Sequence, residues 1–308
     1  MGQPNPIPNI AEQKPVEKRN GEGPKSKKKR SAALNRSRDP FHPVKVTVAI
    51  AVSVLFILPI IWMIFVSLKP DGYSTTNPIE WFLPPFTFSN YTNIISDTLI
   101  LRWTFNSFIV ALITTILTLI VTSLASFAIS QMKFRFKRTI FIFFLVGLMI
   151  PGEATIIPLY ETAKSLNLID SYAGLILPMI ASPLGVIILK SFFDGIPKEL
   201  FESAKMDGCS NIKLFYKIAL PLAKPALAAI AIFTFIGSWN NFLWPYLSIL
   251  SEELYTLPVG LPVFNSSYSQ AYVLPMTANA IASIPVIIVF LIFQKQIIKG
   301  ISFTGLKG

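Results

Sequence analysis

Hydrophobic residues in this chain gather into six long blocks instead of alternating with polar ones. The blocks cover roughly 44–68, 107–130, 139–160, 172–192, 225–249 and 277–297. Wound as a helix rising about 1.5 Å per residue, each is long enough to cross about 30 Å of hydrocarbon. The pattern predicts an all-α polytopic membrane protein with six transmembrane helices. Pro59, Pro151, Pro158, Pro178, Pro183 and Pro285 fall inside blocks. Each removes a backbone donor and can kink a helix, which suits a cavity that opens alternately but is also common in static membrane helices.

The segments between the blocks are different in character. Residues 1–43 are rich in Pro, Lys, Arg, Asn and Gly and are expected to form a disordered basic tail, with too little burial to offset chain entropy. The first block starts too late for a cleaved secretory signal, so this tail is expected to stay in the cytoplasm. Its run Lys25 to Arg30 reads as a topology signal or as a site for anionic membrane lipid. Residues 69–105 form a Pro-punctuated extracytoplasmic loop with a short amphipathic helix around Tyr91 to Leu101, and Trp81 and Trp103 fit interfacial anchors as readily as ligand contacts. A second outer loop, 250–276, carries Pro258, Gly260, Pro262, Asn265, Ser266 and Ser267 but no Lys or Arg, and is expected to dock an external partner.

Composition agrees with the bilayer as solvent: 52% of the 308 residues are hydrophobic and 14% are charged. The net charge of +11 could suggest nucleic acid, but its placement argues otherwise. If the six spans alternate, the inner segments hold the tail, Lys133, Arg135, Lys137, Arg138, the run from Lys190 to Lys224, and Lys295, Lys299 and Lys307. The outer segments keep Lys69, Arg102 and Lys164. This bias follows the positive-inside rule, puts both termini in the cytoplasm and leaves no need for a nucleic-acid partner. With one cysteine, Cys209, and one histidine, His42, neither a disulfide, a metal centre nor a Ser/His/Asp constellation is expected.

The stretch from Asp194 to Lys224 is the most informative. Pro197 suits the start of a helix and Gly208 its left-handed end, so a short helix is expected over 198–207. Leu200, Phe201 and Ala204 share one face of it; Lys198, Glu202 and Lys205 share another. A second helix is expected from Ser210 as N-cap through Leu214, Phe215 and Ile218, before Pro221 and Pro225 lead into the fifth span. Two short helices around a glycine turn make a cytoplasmic knob. Helix physics alone leaves it open whether the knob docks a partner or is simply solvated.

The order Glu202-Ser203-Ala204, Asp207-Gly208, Ile218-Ala219-Leu220-Pro221 resembles the EAA loop of binding-protein-dependent ABC importer permeases, with departures at Ser203 and Cys209, where that loop usually has alanine. Asn106-Ser107, Met149-Ile150-Pro151, Pro158-Leu159-Tyr160, Trp239 to Pro245 and Gly305-Leu306-Lys307-Gly308 extend the resemblance from about residue 46 to the end, toward the maltose-type second permease of carbohydrate uptake. The resemblance implies a type-I ABC importer permease bundle in a bacterial cytoplasmic membrane, with a five-helix core over 103–298. It also implies a heteromer: a second homologous permease subunit, two ATP-binding subunits and an extracytoplasmic solute-binding protein, moving a carbohydrate. This chain has no Walker-type glycine loop, so ATP and Mg belong to the partners and this subunit is a non-catalytic permease without its own cofactor. Coupling then falls to the 194–224 loop, with Glu202 and Asp207 orienting the joint, Ser203, Ala204, Leu200 and Phe201 in the coupling helix and Gly208 allowing the turn.

For the solute path the candidates are Ser238, Trp239, Asn240, Asn241 and Trp244, polar groups and aromatic faces in an apolar span. Asparagines that bond between helices and tryptophans that mark the interface explain the same residues. An ion- or proton-coupled carrier acting alone is the competing class; Glu153 is its one ionisable candidate at depth, and no internal duplication supports it.

Overall fold

Three of the hydrophobic blocks stay whole and three are broken, each break lying beside a proline. The computed structural model describes residues 42–265 and 272–304. The tail at 1–41, Ser266 and Ser267 of the second outer loop, and the ending Gly305–Gly308 lie outside the described residues. The chain divides at Pro59 into two units. In the first, the described part is one helical stretch whose side chains from Pro43 onward are exposed; the second, from Ile60, holds everything else.

Three blocks are continuous helices long and apolar enough to cross a membrane: α1 (His42–Ser67), α3 (Ile100–Gln131) and, to Gln294, α14 (Val273–Thr304). Between the first two lies α2 (Ser89–Asp97), the short helix expected in the first outer loop. α3 opens at Ile100, several residues before the apolar block that marked it.

The other three blocks are broken, where unbroken spans were expected. The third separates into α4 (Lys137–Met149) and α5 (Ile156–Ser165), bent by 101°. Ile150 precedes Pro151 and is forced out of the helical region, at φ −90° and ψ 118°. The thirteen residues of α4 reach only about 20 Å. The fourth block is α6 (Tyr172–Ile176), a turn over Leu177–Ile180 and α7 (Pro183–Asp194), with a 43° bend. Ser182 restarts the helix there: its Oγ accepts from the Gly185 N–H at 3.2 Å, and Pro183 takes the first helical position. The fifth span begins beyond α8 (Lys198–Met206), α9 (Asn211–Leu214) and α10 (Leu220–Leu222), as α11 (Lys224–Trp239), which stands at 77° to the segment before it. It stops at Trp239, not at 249; α12 (Leu243–Ser248) is separate, with Pro245 in its first turn, where a missing N–H costs nothing.

α3 packs most extensively on α11 and α7. Thr114, Thr118, Thr122 and Ser126 recur every fourth residue, so they share one face, and all four are buried. Small hydroxyl residues let helices approach closely, which matters where lipid removes the hydrophobic drive for helices to associate. Ser126 Oγ donates to the Val186 carbonyl at 3.0 Å, and a Cβ on Gly185 would lie 3.0 Å from the Thr122 methyl.

At the other end of α3 the loop around α13 (Leu257–Gly260) is fastened residue by residue. Trp103 Nε1 donates to the Glu252 carbonyl at 2.9 Å, and Asn106 Nδ2 donates to those of Glu253 and Tyr255 at 2.8 and 2.9 Å. Ser107 Oγ accepts from the Leu257 N–H, and Tyr172 donates to Asn106 Oδ1. The first outer loop folds around Lys69, whose buried ammonium donates to the carbonyls of Glu80 and Leu83 under the rings of Tyr73 and Phe86. Trp81 and Trp103, expected as interfacial anchors or ligand contacts, are both buried side chains of these loops. Trp103 belongs to the core with Phe235, Trp239 and Leu257, and Trp81 packs edge-on against Trp62 and Tyr73.

Candidate functional site

The hairpin α8–α9 is built from its caps inward. After Met206 the chain closes with both bonds of a glycine-terminated helix: Cys209 N–H to Ala204 O and Gly208 N–H to Lys205 O, each 3.0 Å. Gly208 sits at φ +77°, the left-handed region that L side chains avoid. Ser210 then starts α9, its Oγ accepting from the Lys213 N–H. Beyond α9, Phe215–Ala219 widens into a π turn, which the sequence reading placed in an ordinary helix. Pro221, in the first turn of α10, has no N–H to return to the Lys217 carbonyl, and just before it the Leu220 N–H bonds to the Phe215 carbonyl five residues back, the wider π spacing.

The hairpin is bonded to the bundle by aromatic packing. Phe127 of α3 meets Phe193 of α7, Phe201 of α8 and Phe215 with ring centroids 6.0, 6.4 and 5.3 Å apart. Leu189, Ile196, Leu214, Ala219, Ala223 and Ile230 complete this buried cluster, with Ala204 and Cys209 packed against it. Below it, Asp194 accepts from Lys190 Nζ at 2.5 Å and Ser130 Oγ at 2.6 Å, while Lys137 Nζ caps the end of α3 through the carbonyls of Ser130 and Met132. The hairpin is thereby packed against α3, α7 and, through Ile230, α11.

Mid-bundle, a cavity of about 380 Å³ is lined by Thr114, Met179, Ser182, Thr234, Gly237, Ser238 and Asn241. It lies where the fourth block breaks. Asn241 Nδ2 reaches Met179 Sδ at 3.1 Å across the break. The Thr114 hydroxyl is buried without a hydrogen-bond partner among the described residues.

The sequence matches, over residues 122–303, the family described as the binding-protein-dependent transport system inner membrane component. The chain belongs to this family. Among curated relatives, the arabinooligosaccharides transport system permease protein AraQ of Bacillus subtilis strain 168 is 38% identical over 259 residues, covering 83% of this chain and 92% of AraQ. The trehalose/maltose transport system permease protein MalG of Thermococcus litoralis is 34% identical, covering 84% and 95%. Among solved structures, a chain of a bacterial ABC transporter involved in import of the acidic polysaccharide alginate superposes with a TM-score of 0.75 over 84% of this chain and 97% of its own length. At 23% identity that likeness shows the fold, the type-I ABC permease bundle.

Within this inner-membrane component the singled-out residues are sorted by burial. In the hairpin, Phe201 is buried and Ala204 half-buried, while Glu202, Ser203, Asp207 and Gly208 are exposed. Leu200, expected on the face of Phe201, is exposed instead, because Phe201 occupies the centre of the buried face and leaves its neighbour at the margin. Of the five solute-path candidates, Ser238 and Asn241 line the cavity, and the other three do not. Trp239 is buried and stacks on Phe235 at 6.1 Å; Trp244 is buried and donates to the Gly174 carbonyl at 2.9 Å; Asn240 is exposed and ends α11. Glu153 is exposed in the Gly152–Thr155 turn at the 101° break, between two helices of the permease.

Some residues were missed. Met206, Ile212 and Tyr216 are 88, 70 and 66% exposed on the hairpin although apolar or aromatic. Their signal is phase: Met206 lies five residues from Phe201, off the buried stripe. Thr114, Ser182 and Thr234 join the cavity from blocks that the sequence offered no reason to bring together.

Proposed function

We propose that the chain is the permease subunit of a carbohydrate importer, driven by ATP hydrolysis in partner subunits through the Asp194–Lys224 hairpin. The hairpin carries the reading: a pair of short helices and the turn after them, with Leu200, Met206, Ile212 and Tyr216 exposed, packed through one aromatic cluster onto α3 and α7. Exposed Met206, Ile212 and Tyr216 form the contact that seats in a groove of an ATP-binding subunit. Glu202 and Asp207 orient the joint, half-buried Ala204 allows close approach, and Gly208 sets the turn. Closure of two such ATPase subunits, which hold the ATP and Mg, pulls the hairpin and rocks the spans between inward and outward states. A second homologous permease completes the path and an extracytoplasmic solute-binding protein delivers the sugar at the opposite face, where the Ser251–Asn265 loop is held in place by Trp103, Asn106 and Ser107. The names of AraQ and MalG, which transport arabinooligosaccharides and trehalose/maltose, support a saccharide as solute; Ser238 and Asn241 lie along its path.

Co-expression of this chain with its cognate subunits tests the reading. Met206→Cys in a Cys209→Ala background is expected to crosslink to a groove cysteine of the ATPase subunit. Persistent failure around the whole groove, in complexes that still copurify, contradicts docking at this tip.

A further inference from the structure

The short connection Met132 to Phe136 joins α3 to α4. It lies between the apolar blocks 107–130 and 139–160, which hold it and the first residues of α4 where hydrocarbon gives way to headgroups. From Lys133 to Arg138 the order is Lys-Phe-Arg-Phe-Lys-Arg, cations alternating with aromatic rings, and neither α3 nor α4 contains an Asp or Glu. This is the end of the bundle that carries the hairpin: Phe127 packs on Phe201, and Ser130 Oγ donates to Asp194 at 2.6 Å.

The cations here fall into two sets. Lys137 and Lys190 are satisfied by protein: Lys137 Nζ donates to the Ser130 and Met132 carbonyls at 2.8 and 3.1 Å, and Lys190 Nζ pairs with Asp194 and lies 4.6 Å from the centroid of the Phe141 ring. Lys133, Arg135 and Arg138 are exposed, and none of them pairs with a carboxylate among the described residues. The guanidinium of Arg135 lies 5.0 Å from the centroid of Phe136. Phe136 holds a left-handed backbone, φ +65° and ψ 11°, which bulky L residues avoid. Its ring is 64% exposed, so packing within the chain does little to offset that strain. Phe134 is exposed too, and α4 has no buried residue, with Ile140 and Phe143 continuing the open apolar surface.

We infer that Lys133, Arg135 and Arg138, with the rings of Phe134 and Phe136, form a site for an anionic phospholipid of the adjoining leaflet. The cations hold the headgroup phosphate and the rings lie among the upper acyl segments. Charge complementarity selects this occupant: cations without carboxylate partners at headgroup depth attract anionic lipid, and the planar donors of arginine match phosphate oxygens in pairs. Long basic side chains lay their stems along apolar surface while the charge reaches the headgroups, and aromatic rings on the same segment add burial in the acyl boundary. A Phe136 ring sunk into lipid supplies the burial that the chain itself withholds. The inference rests on the importer reading for one point, that this leaflet is the inner one.

The test uses the complete importer in nanodiscs of phosphatidylcholine and phosphatidylglycerol in equal parts. A bimane on Thr139→Cys, an exposed position in a Cys209→Ala background, reports the lipid beside the loop, with brominated acyl chains carried by one lipid or the other. Bromine on phosphatidylglycerol is expected to quench about twofold more than bromine on phosphatidylcholine. That excess is expected to shrink at about 0.5 M salt, a comparison made on the unsubstituted loop so that folding does not enter. Lys133→Gln, Arg135→Gln and Arg138→Gln together are expected to abolish it, and a bimane on Asn93→Cys in the first outer loop to show none. Equal quenching by the two lipids at 139, the same preference at 93, or a preference that survives high salt or the glutamine substitutions overturns the inference. Quenching at 139 that appears only after the ATPase subunits are stripped assigns the loop to a protein contact and also overturns it. The discs present both leaflets to the same lipids and no transport is needed, so such a failure leaves the importer reading intact; failure of that reading shows instead as absent uptake.

Discussion

Gly208 holds a left-handed backbone at φ +77°, yet a Cβ there would meet nothing within 4 Å. A side chain at 208 is therefore opposed by the backbone alone, by about 1–2 kcal/mol. Gly208→Val is expected to distort the turn, lowering uptake while membrane abundance stays normal, as quantitative blotting beside transport would show. Asp170 offers a second local test. Its carboxylate accepts from the Ser251 hydroxyl, the Ser251 N–H and the Leu250 N–H, and the first of these is the main reason its pKa lies below the ordinary aspartate value, against the opposing effect of burial. A group whose folded pKa is lowered stabilises fully above its unfolded value and loses that contribution as pH falls through the folded one. Wild-type protein in nanodiscs is expected to lose thermal stability in that acidic window, and Asp170→Asn to lack that component of the loss. Identical pH profiles for the two would contradict this assignment.

At the scale of elements, what could be read from the chain depended on whether the signal was local. Ser210 capping α9 and the Gly208 turn follow from neighbours in sequence, and both ends of α8 were legible for that reason. The breaks were half legible. Pro151 and Pro183 were visible as punctuation, but a membrane helix can absorb a proline, as α1 absorbs Pro59 and α14 absorbs Pro285, so residue identity alone did not decide. Trp239 and Trp244 show the other limit: a buried aromatic in a span looks the same in sequence whether it faces a core or a solute. The four-residue recurrence from Thr114 to Ser126 was present in the chain, and only α7 and α11 packed against it give it meaning. The fastening of α13 to α3 makes a sharp prediction. A Cβ at Gly260 would fall 2.1 Å from the Trp103 ring, so Gly260→Ala is expected to destabilise this end by about 1–3 kcal/mol. A lower melting temperature in detergent checks it, and Trp103→Phe should partly relieve the clash.

Across the whole molecule, the hairpin and the mid-bundle cavity share one helix. The hairpin cluster around Phe127 and the cavity at Thr114 lie on the same helix, with Thr118 and Thr122 between them, so a pull on α3 and α7 is expected to move these two sides of the cavity against its α11 side. Replacing Phe127 by alanine is expected to remove the aromatic bridge at a cost of about 3–5 kcal/mol and to separate ATP hydrolysis from uptake in any variant that still inserts; matched hydrolysis and uptake would contradict the bridge. All of this requires the hairpin to face the compartment that holds ATP. The most direct measurement is labelling of Met206→Cys, in a Cys209→Ala background, with a membrane-impermeant thiol reagent in right-side-out and inside-out vesicles. Modification is expected in inside-out vesicles and protection in right-side-out ones; modification in intact right-side-out vesicles would place the hairpin on the outer face and rule out docking to an ATPase.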